Sequence, residues 1–272
     1  MQNDSATIDR AWPQIGFDRS QDEASSLGNE QTTGHSPLFA YPSVWLHGAG
    51  MSASTFRHVV KGLPKATALD LPGHGSAAAV HPPRVESYAD QLAPSIPPGA
   101  ILIGHSLGGM VALELAARRE LQVAALVMIE AVPTVRDRLS GRLTATLASA
   151  LMRVLPMALL TSPVGQSQKA STRQEVKEQL SQHSRTGLIA AMEAAGHYDG
   201  RRHLNAVAVP TLIVVGQDNR ATHHGAKLAA RRITGSEFAT LPGGHMLHFD
   251  SPVPLRRTID QFLKHRLTTP GS

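Results

Sequence analysis

Ser106 and His245 are the two residues of this sequence whose types and surroundings could form a nucleophile and its base. Ser106 stands in Gly104-His105-Ser106-Leu107-Gly108, which fits the Gly-x-Ser-x-Gly pattern of a nucleophile elbow. A serine hydroxyl attacks a carbonyl carbon only when a base takes its proton. His245 follows a Gly-Gly pair in a late loop, from which a side chain can reach back over strand ends. The predicted chemistry is hydrolysis through a serine nucleophile.

The residues around Ser106 have a physical role in such a turn. Because the strained turn brings its neighbours close to the following helix, the positions two before and two after the serine must be small. The turn also places Ser106 at a helix N-terminus, where the Leu107 amide and the helix dipole can stabilise an oxyanion. The alternative is a Gly-Ser turn without chemistry, and the flanking strand and helix favour the elbow.

The presence of a histidine is by itself weak evidence for a catalytic base, because the chain contains 14 histidines. We assign four others to surface or core positions: His197, His223, His224 and His248. We expect His105, beside the nucleophile, to pack against the elbow or orient it rather than act as the base.

Short apolar runs alternate with helical patterns, which predicts an α/β fold with a mostly parallel sheet and helices on both faces. Between the runs 125–129 and 211–215 lie roughly 80 residues, far more than an ordinary connection. The predicted strands are 43–46, 66–71, 100–103, 125–129, 211–215 and 237–241, and the predicted helices outside the long connection are 52–62, 107–119 and 253–267.

These patterns suggest a leader, one catalytic core and an inserted helical cap. Residues 1–40 are polar and without period, so we expect them to be disordered or loosely attached. The core comprises 41–133 and 206–272, and the cap 134–205, with helical stretches at 143–160 and 173–195. The apolar face of the first stretch should line the substrate pocket. That face comprises Leu143, Leu147, Leu151, Met152, Val154, Leu155, Met157, Leu159 and Leu160.

Four separated motifs give the sequence a family resemblance. The first three are Leu46-His47-Gly48-Ala49-Gly50, Leu69-Asp70-Leu71-Pro72-Gly73-His74-Gly75 and Gly104-His105-Ser106-Leu107-Gly108-Gly109, and the fourth is Pro242-Gly243-Gly244-His245. From residue 43 to about 266 the chain resembles the α/β-hydrolase superfamily, near the small esterases, thioesterases and C–C or haloalkane hydrolases with a helical cap. The resemblance implies that the amides of Ala49 and Leu107 form the oxyanion hole, and that Asp70 has a structural role in a turn.

Two carboxylates could be the acid partner of His245. In the commoner family arrangement the acid stands three residues after Gly216, but that residue is Asn219, and Asp218 precedes it. Asparagine could orient an imidazole without stabilising an imidazolium by charge. The alternative is Glu130, which directly follows the apolar run 125–129 and resembles the acid of some haloalkane dehalogenases. Either carboxylate could instead be a spectator.

The predicted function is cleavage of a small carboxylic ester or thioester by a serine hydrolase, through an acyl-enzyme and with no cofactor or metal. Alternatives on the same residues are a C–C bond hydrolase, a perhydrolase, or a receptor-like ligand binder with little turnover. Dehalogenation is disfavoured, because its nucleophile is a carboxylate and this chain offers Ser106. Fold likeness alone cannot decide among these.

Composition and charge indicate which partners and which location to expect. The net charge is +5, but Lys and Arg are scattered, so we predict no nucleic-acid partner. Without cysteine there is no disulfide framework or cysteine nucleophile. No apolar run reaches about 18 residues and the N-terminus has no signal-peptide pattern, so we expect a cytoplasmic protein that does not bind membranes. The oligomeric state is not predicted.

Overall fold

The computed structural model describes residues 36–136 and 170–267. Six parallel strands form one sheet in the order β2-β1-β3-β4-β5-β6. The strands are β1 (Ser43–Leu46), β2 (Ala66–Leu69), β3 (Ile101–His105), β4 (Ala125–Ile129), β5 (Thr211–Gly216) and β6 (Glu237–Leu241). This topology confirms the predicted α/β fold class.

Eight α-helices are described, and several follow a strand directly. They are α1 (Pro37–Ala40), α2 (Val85–Leu92), α3 (Leu107–Ala116), α4 (Ala170–Ser181), α5 (Arg185–His197), α6 (Arg220–Arg232), α7 (Leu247–Asp250) and α8 (Pro252–Leu267). Short 3-10 turns occur at Ala53–Phe56, Ala93–Ser95, Arg119–Leu121 and Gly200–Arg202. Within the described ranges, no helix is long and apolar enough to cross a membrane.

The strands are apolar at successive positions because helices cover both faces of the sheet. In β4, Leu126 and Met128 pack on the side of α2, α3 and α6. Val127 and Ile129 point to the other side, toward α1 and α8. Since side chains alternate along a strand, a strand buried on both faces needs apolar residues at each step.

Several helices differ from the prediction. In place of a helix over 52–62, a 3-10 turn at Ala53–Phe56 buries Phe56 against Trp45, and the β-branched Val59 and Val60 follow it in turns. The predicted helix over 173–195 is two helices, with Ser184 capping the second through a hydrogen bond from Gly187 N–H (3.0 Å). Helices α1, α2, α6 and α7 were not predicted. In α2, Val85, Tyr88, Ala89 and Leu92 repeat at helical spacing and are buried.

The packed part of the chain includes residues 36–40, which composition places in the leader. Leu38 is buried in the same apolar cluster as Phe262 of α8, and the Ser36 hydroxyl bonds Asp260. Composition averaged over residues 1–40 misses this anchor, because the apolar run Pro37–Ala40 is only four residues long. The predicted cap helix 143–160, with its apolar face, lies outside the described residues.

Candidate active site

Ser106 lies in a sharp turn between β3 and α3. Its backbone has φ 52° and ψ −117°, a conformation that residues other than glycine rarely adopt. Its amide donates to the carbonyl of Ile129 (2.9 Å), and its side chain does not cap the helix. A strained serine at a strand-to-helix turn is the geometry that the elbow pattern predicts.

The two flanking glycines are required by close backbone contacts. A Cβ on Gly104 would lie 2.2 Å from the carbonyl oxygen of Gly108. A Cβ on Gly108 would lie 2.1 Å from that of Leu46. Such separations are far inside van der Waals contact, so only glycine allows α3 to start this close to β1 and β3.

His245 lies in the loop between β6 and α7, beside the elbow. The ring of His105 is 4.9 Å from that of His245, centroid to centroid. His105 Nε2–H also donates to the backbone carbonyl of His245 (2.8 Å). Asp250 accepts from the amide of Gly244 (2.8 Å), the residue before His245. The loop that carries His245 is therefore fixed by His105 on one side and by Asp250 of α7 on the other.

Glu130 reaches His245 from the end of the neighbouring strand. Its Oε2 lies 3.3 Å from His245 Nδ1, and its side chain is fully buried. Its backbone also has a positive φ, 50°. The carboxylate accepts further hydrogen bonds from the Thr222 hydroxyl (2.8 Å), from the Asn219 side-chain amide (2.5 Å) and from the Gly216 amide. These donors provide the partners that a buried carboxylate needs.

Asp218, the other candidate acid, is exposed to solvent. Its backbone amide donates to Gly243 (3.0 Å), which fixes its loop. Among the hydrogen bonds and ion pairs of the described residues, none joins its carboxylate to His245. The geometry thus brings Glu130 and not Asp218 against the imidazole.

The loop that carries Ala49 is oriented by a buried histidine. His47 accepts from the amide of Leu71 at Nε2 (2.9 Å) and donates from Nδ1 to the carbonyl of Gly48 (2.8 Å). Burial lowers the pKa of His47 to about 3, so the ring is neutral near pH 7. The N–H of Ala49 belongs to the peptide unit of that Gly48 carbonyl and points the opposite way. Fixing the carbonyl therefore fixes the amide.

This loop lies directly against the elbow. A Cβ built on Gly48 would be 3.2 Å from Cβ of Ser106. On the other side of Ser106, Leu107 is the first residue of α3, whose leading amides have no acceptor within the helix. The loop that carries Ala49 therefore lies against Ser106, and Leu107 follows the serine directly; an oxyanion hole made of their two amides stays a prediction.

Helices α4 and α5 cover the Ala49 loop with apolar side chains. A buried cluster joins them to the loop and to the residue after His245, and it contains Met51, Val176, Leu180, Leu188 and Met246. Gln179 of α4 also accepts from Ser52 (3.0 Å) and donates to Ser54 (2.8 Å). The candidate site therefore has an apolar wall beside the loop that carries Ala49.

Comparisons with known proteins decide the family. The alpha/beta hydrolase family profile matches residues 44–258 of this chain. The chain belongs to the alpha/beta hydrolase family. This confirms the predicted superfamily and the enzyme class, an α/β-hydrolase esterase.

Two curated relatives of this hydrolase are pimeloyl-[acyl-carrier protein] methyl ester esterases. The Vibrio vulnificus protein is 28% identical over 203 residues, covering 69% of this chain and 78% of its own. The protein of Neisseria meningitidis serogroup A is 29% identical over 219 residues, with coverage of 72% and 68%.

Solved structures of other hydrolases share the fold. The enol-lactonase of Burkholderia xenovorans LB400 superposes with a TM-score of 0.73 at 18% identity, covering 82% of this chain and 92% of its own. A thermophilic esterase of Thermogutta terrifontis gives 0.72 at 21%, with 84% and 91% coverage. At these identities the likeness supports the fold of this hydrolase and no finer property.

Two further residues of this hydrolase contact the candidate acid without having been predicted to do so. Thr222 donates to Glu130, and the amide of Asn219 contacts Glu130 and His245. The sequence signal for Asn219 was its place three residues after Gly216, the commoner position of the acid. For Thr222 we find no sequence signal, because its role depends on where α6 packs.

Of the four histidines assigned to surface or core positions, His248 is buried, and His197 and His224 are exposed.

Proposed function

We propose that this α/β hydrolase cleaves a small carboxylic ester or thioester through an acyl-enzyme, with Ser106, His245 and Glu130 as its triad. The observation that carries the proposal is the contact of Glu130 with His245 Nδ1, beside the strained Ser106. A hydrogen bond from Nδ1–H to the carboxylate leaves Nε2 unprotonated and able to accept the serine proton.

The first half of the reaction acylates the serine. Ser106 Oγ attacks the ester carbonyl carbon while His245 Nε2 takes the hydroxyl proton. The carbonyl oxygen becomes an oxyanion, which the Ala49 and Leu107 amides stabilise. The intermediate then expels the alkoxide or thiolate, which His245 protonates, and the acyl group remains on Ser106.

The second half releases the acid. Water attacks the acyl-enzyme carbonyl as His245 takes its proton, and a second oxyanion forms in the same place. Its collapse breaks the bond to Ser106, and His245 returns the proton to the serine oxygen. Glu130 remains ionised throughout and stabilises the imidazolium that forms in each half.

Ester substrates are the first class to test. Two observations favour them: the curated relatives are named for a methyl ester, and the wall of Met51, Leu180, Leu188 and Met246 suits an apolar acyl group. The proposal is an ester or thioester in general: at 28% and 29% sequence identity it names neither a pimeloyl group nor a carrier protein. A panel of 4-nitrophenyl and methyl esters of rising chain length, with matched thioesters, would define the acyl and leaving groups.

The decisive experiment is labelling with a fluorophosphonate, followed by mass spectrometry. The adduct should be on Ser106, and Ser106→Ala should neither react nor turn over short 4-nitrophenyl esters while keeping a near-native melting temperature. Full turnover by Ser106→Ala would refute the proposal. Negligible turnover of every ester by the native enzyme, with a ligand-dependent rise in melting temperature, would favour a binding function instead.

A further inference from the structure

Asn219 contacts both members of the proposed acid–base pair. Its Nδ2 lies 2.5 Å from Oε2 of Glu130 and 3.0 Å from Nδ1 of His245. We propose that Asn219 is a positioning residue that holds Glu130 against His245, and that its place in the site can itself carry the acid. This inference rests on the proposed triad and adds to it a residue that the triad does not contain.

The orientation of the Asn219 amide follows from its partners. An ionised Oε2 of Glu130 can only accept hydrogen bonds, so the nearest atom of Asn219 must be its nitrogen. The same Oε2 accepts from the Thr222 hydroxyl, and Gly216 N–H donates to the other oxygen. Of these three donors, Asn219 is the one that also contacts the imidazole.

This double contact gives Asn219 two effects on the site. Its N–H stabilises a carboxylate that is fully buried and would otherwise lose a partner. Its amide group also packs against the Nδ1 edge of the imidazole and restricts rotation of the ring. This is a packing contact and not a hydrogen bond, because Nδ1–H and the amide N–H are both donors to Glu130. Both effects keep His245 Nδ1 directed at Glu130 and leave Nε2 for Ser106. Without the amide, Glu130 keeps the donors Gly216 and Thr222, and the pair is held less firmly.

The same geometry would let an acid at position 219 reach His245. Aspartate has nearly the shape of asparagine, so a carboxylate oxygen can take the place of Nδ2, 3.0 Å from Nδ1. With Glu130 present, two buried carboxylates would repel each other. With glutamine at position 130, the negative charge would only move from one position beside Nδ1 of His245 to a neighbouring one. Moving the negative charge from position 130 to position 219 therefore tests the proposal.

The experiment compares Glu130→Gln, Asn219→Asp and the double variant, using kcat and KM on one 4-nitrophenyl ester. We expect kcat to fall at least about 100-fold in Glu130→Gln and about 10-fold in Asn219→Asp. The double variant should recover at least about 10-fold over Glu130→Gln. Gln217→Glu adds a charge to an exposed side chain of the same loop and serves as the control, with native kcat.

A second measurement covers the case in which the double variant does not fold. Asn219→Ala should lower kcat about 10-fold with KM within about twofold, since it acts through Glu130. In the Glu130→Gln background the same substitution should cost less than about twofold, because no carboxylate remains to be positioned. A merely structural role would give equal losses in both backgrounds.

The results separate this inference from the proposed function. A natively melting double variant no more active than Glu130→Gln, or equal losses from Asn219→Ala in both backgrounds, would overturn the role of Asn219 and leave the triad intact. Native activity in Glu130→Gln would overturn both the assignment of the acid and the inference. Native activity in Ser106→Ala would refute the proposed function itself.

Discussion

Oε2 of Glu130 lies 3.3 Å from Nδ1 of His245, across 115 positions of sequence. Parallel pairing of β3 with β4 and of β4 with β5 makes this contact possible. The carboxyl ends of these strands meet at one edge of the sheet, which is where ligands bind in open α/β sheets. Ser106 and Glu130 follow adjacent strands there, and both have a positive φ.

The choice of acid gives the first prediction. Glu130→Gln should reduce kcat at least about 100-fold, because the imidazolium loses its buried counter-charge. Asp218→Asn should reduce it less than about threefold, because the Asp218 carboxylate is exposed and does not bond His245. Steady-state kinetics on one ester, with melting temperatures for both variants, would test this. The reverse order of losses would assign the acid to Asp218.

His105 gives the second prediction. His105→Phe removes the hydrogen bond to the His245 carbonyl and should lower kcat about 3- to 10-fold with little change in KM. His105→Gln keeps an N–H donor and should lose less. A smaller loss in His105→Phe than in His105→Gln would show that packing of the ring, and not the hydrogen bond, is what matters at this position.

The elbow glycines give the third prediction. Gly108→Ala should destabilise the protein by several kcal/mol, about 3 or more, because its Cβ would lie 2.1 Å from a backbone oxygen. The matched control is Gly196→Ala in α5, where a Cβ meets nothing within 4 Å. That variant should be about 0.5 kcal/mol more stable, since alanine favours a helix. Urea unfolding of both would test this, and equal stability would contradict the close packing.

Buried histidines give the fourth prediction, a loss of stability in acid. Burial lowers the pKa of both His47 and His248 from 6.5 to about 3. Between these values the unfolded chain binds protons that the folded protein excludes. Each residue therefore lowers the free energy of unfolding by up to about 1.4 kcal/mol per pH unit as the pH falls from 6.5 toward 3.

Unfolding measured in urea at pH 7.5, 6.0 and 5.0 would test the acid effect. His248→Phe should show a shallower loss than the native protein, since one buried site no longer gains a proton on unfolding. His58→Gln changes an exposed histidine and is the control, with a native slope. The same slope in all three proteins would show that the buried rings do not cause the loss.

The sequence by itself determined the order of the strands along the chain and the elbow, and it predicts His245 as the base. Apolar runs without alternation predict strands covered on both faces, and the structure has β1, β4, β5 and β6 within one residue of the predicted bounds. The spacing of Gly104, Ser106 and Gly108 predicts the elbow because sterics inside one turn are local. Local patterns were less informative at residues 52–62, where tertiary packing of Phe56 replaced a helix with a short turn.

Only the tertiary structure decided which carboxylate faces His245. The sequence places Glu130 and Asp218 each at the end of a strand, and such positions lie near the same edge of the sheet. The direction of a side chain there depends on backbone angles and on donors from distant elements. At Glu130 these are a φ of 50° and hydrogen bonds from Gly216, Asn219 and Thr222, about 90 positions away. No local pattern records such partners, because they become neighbours only when α6 packs against the sheet.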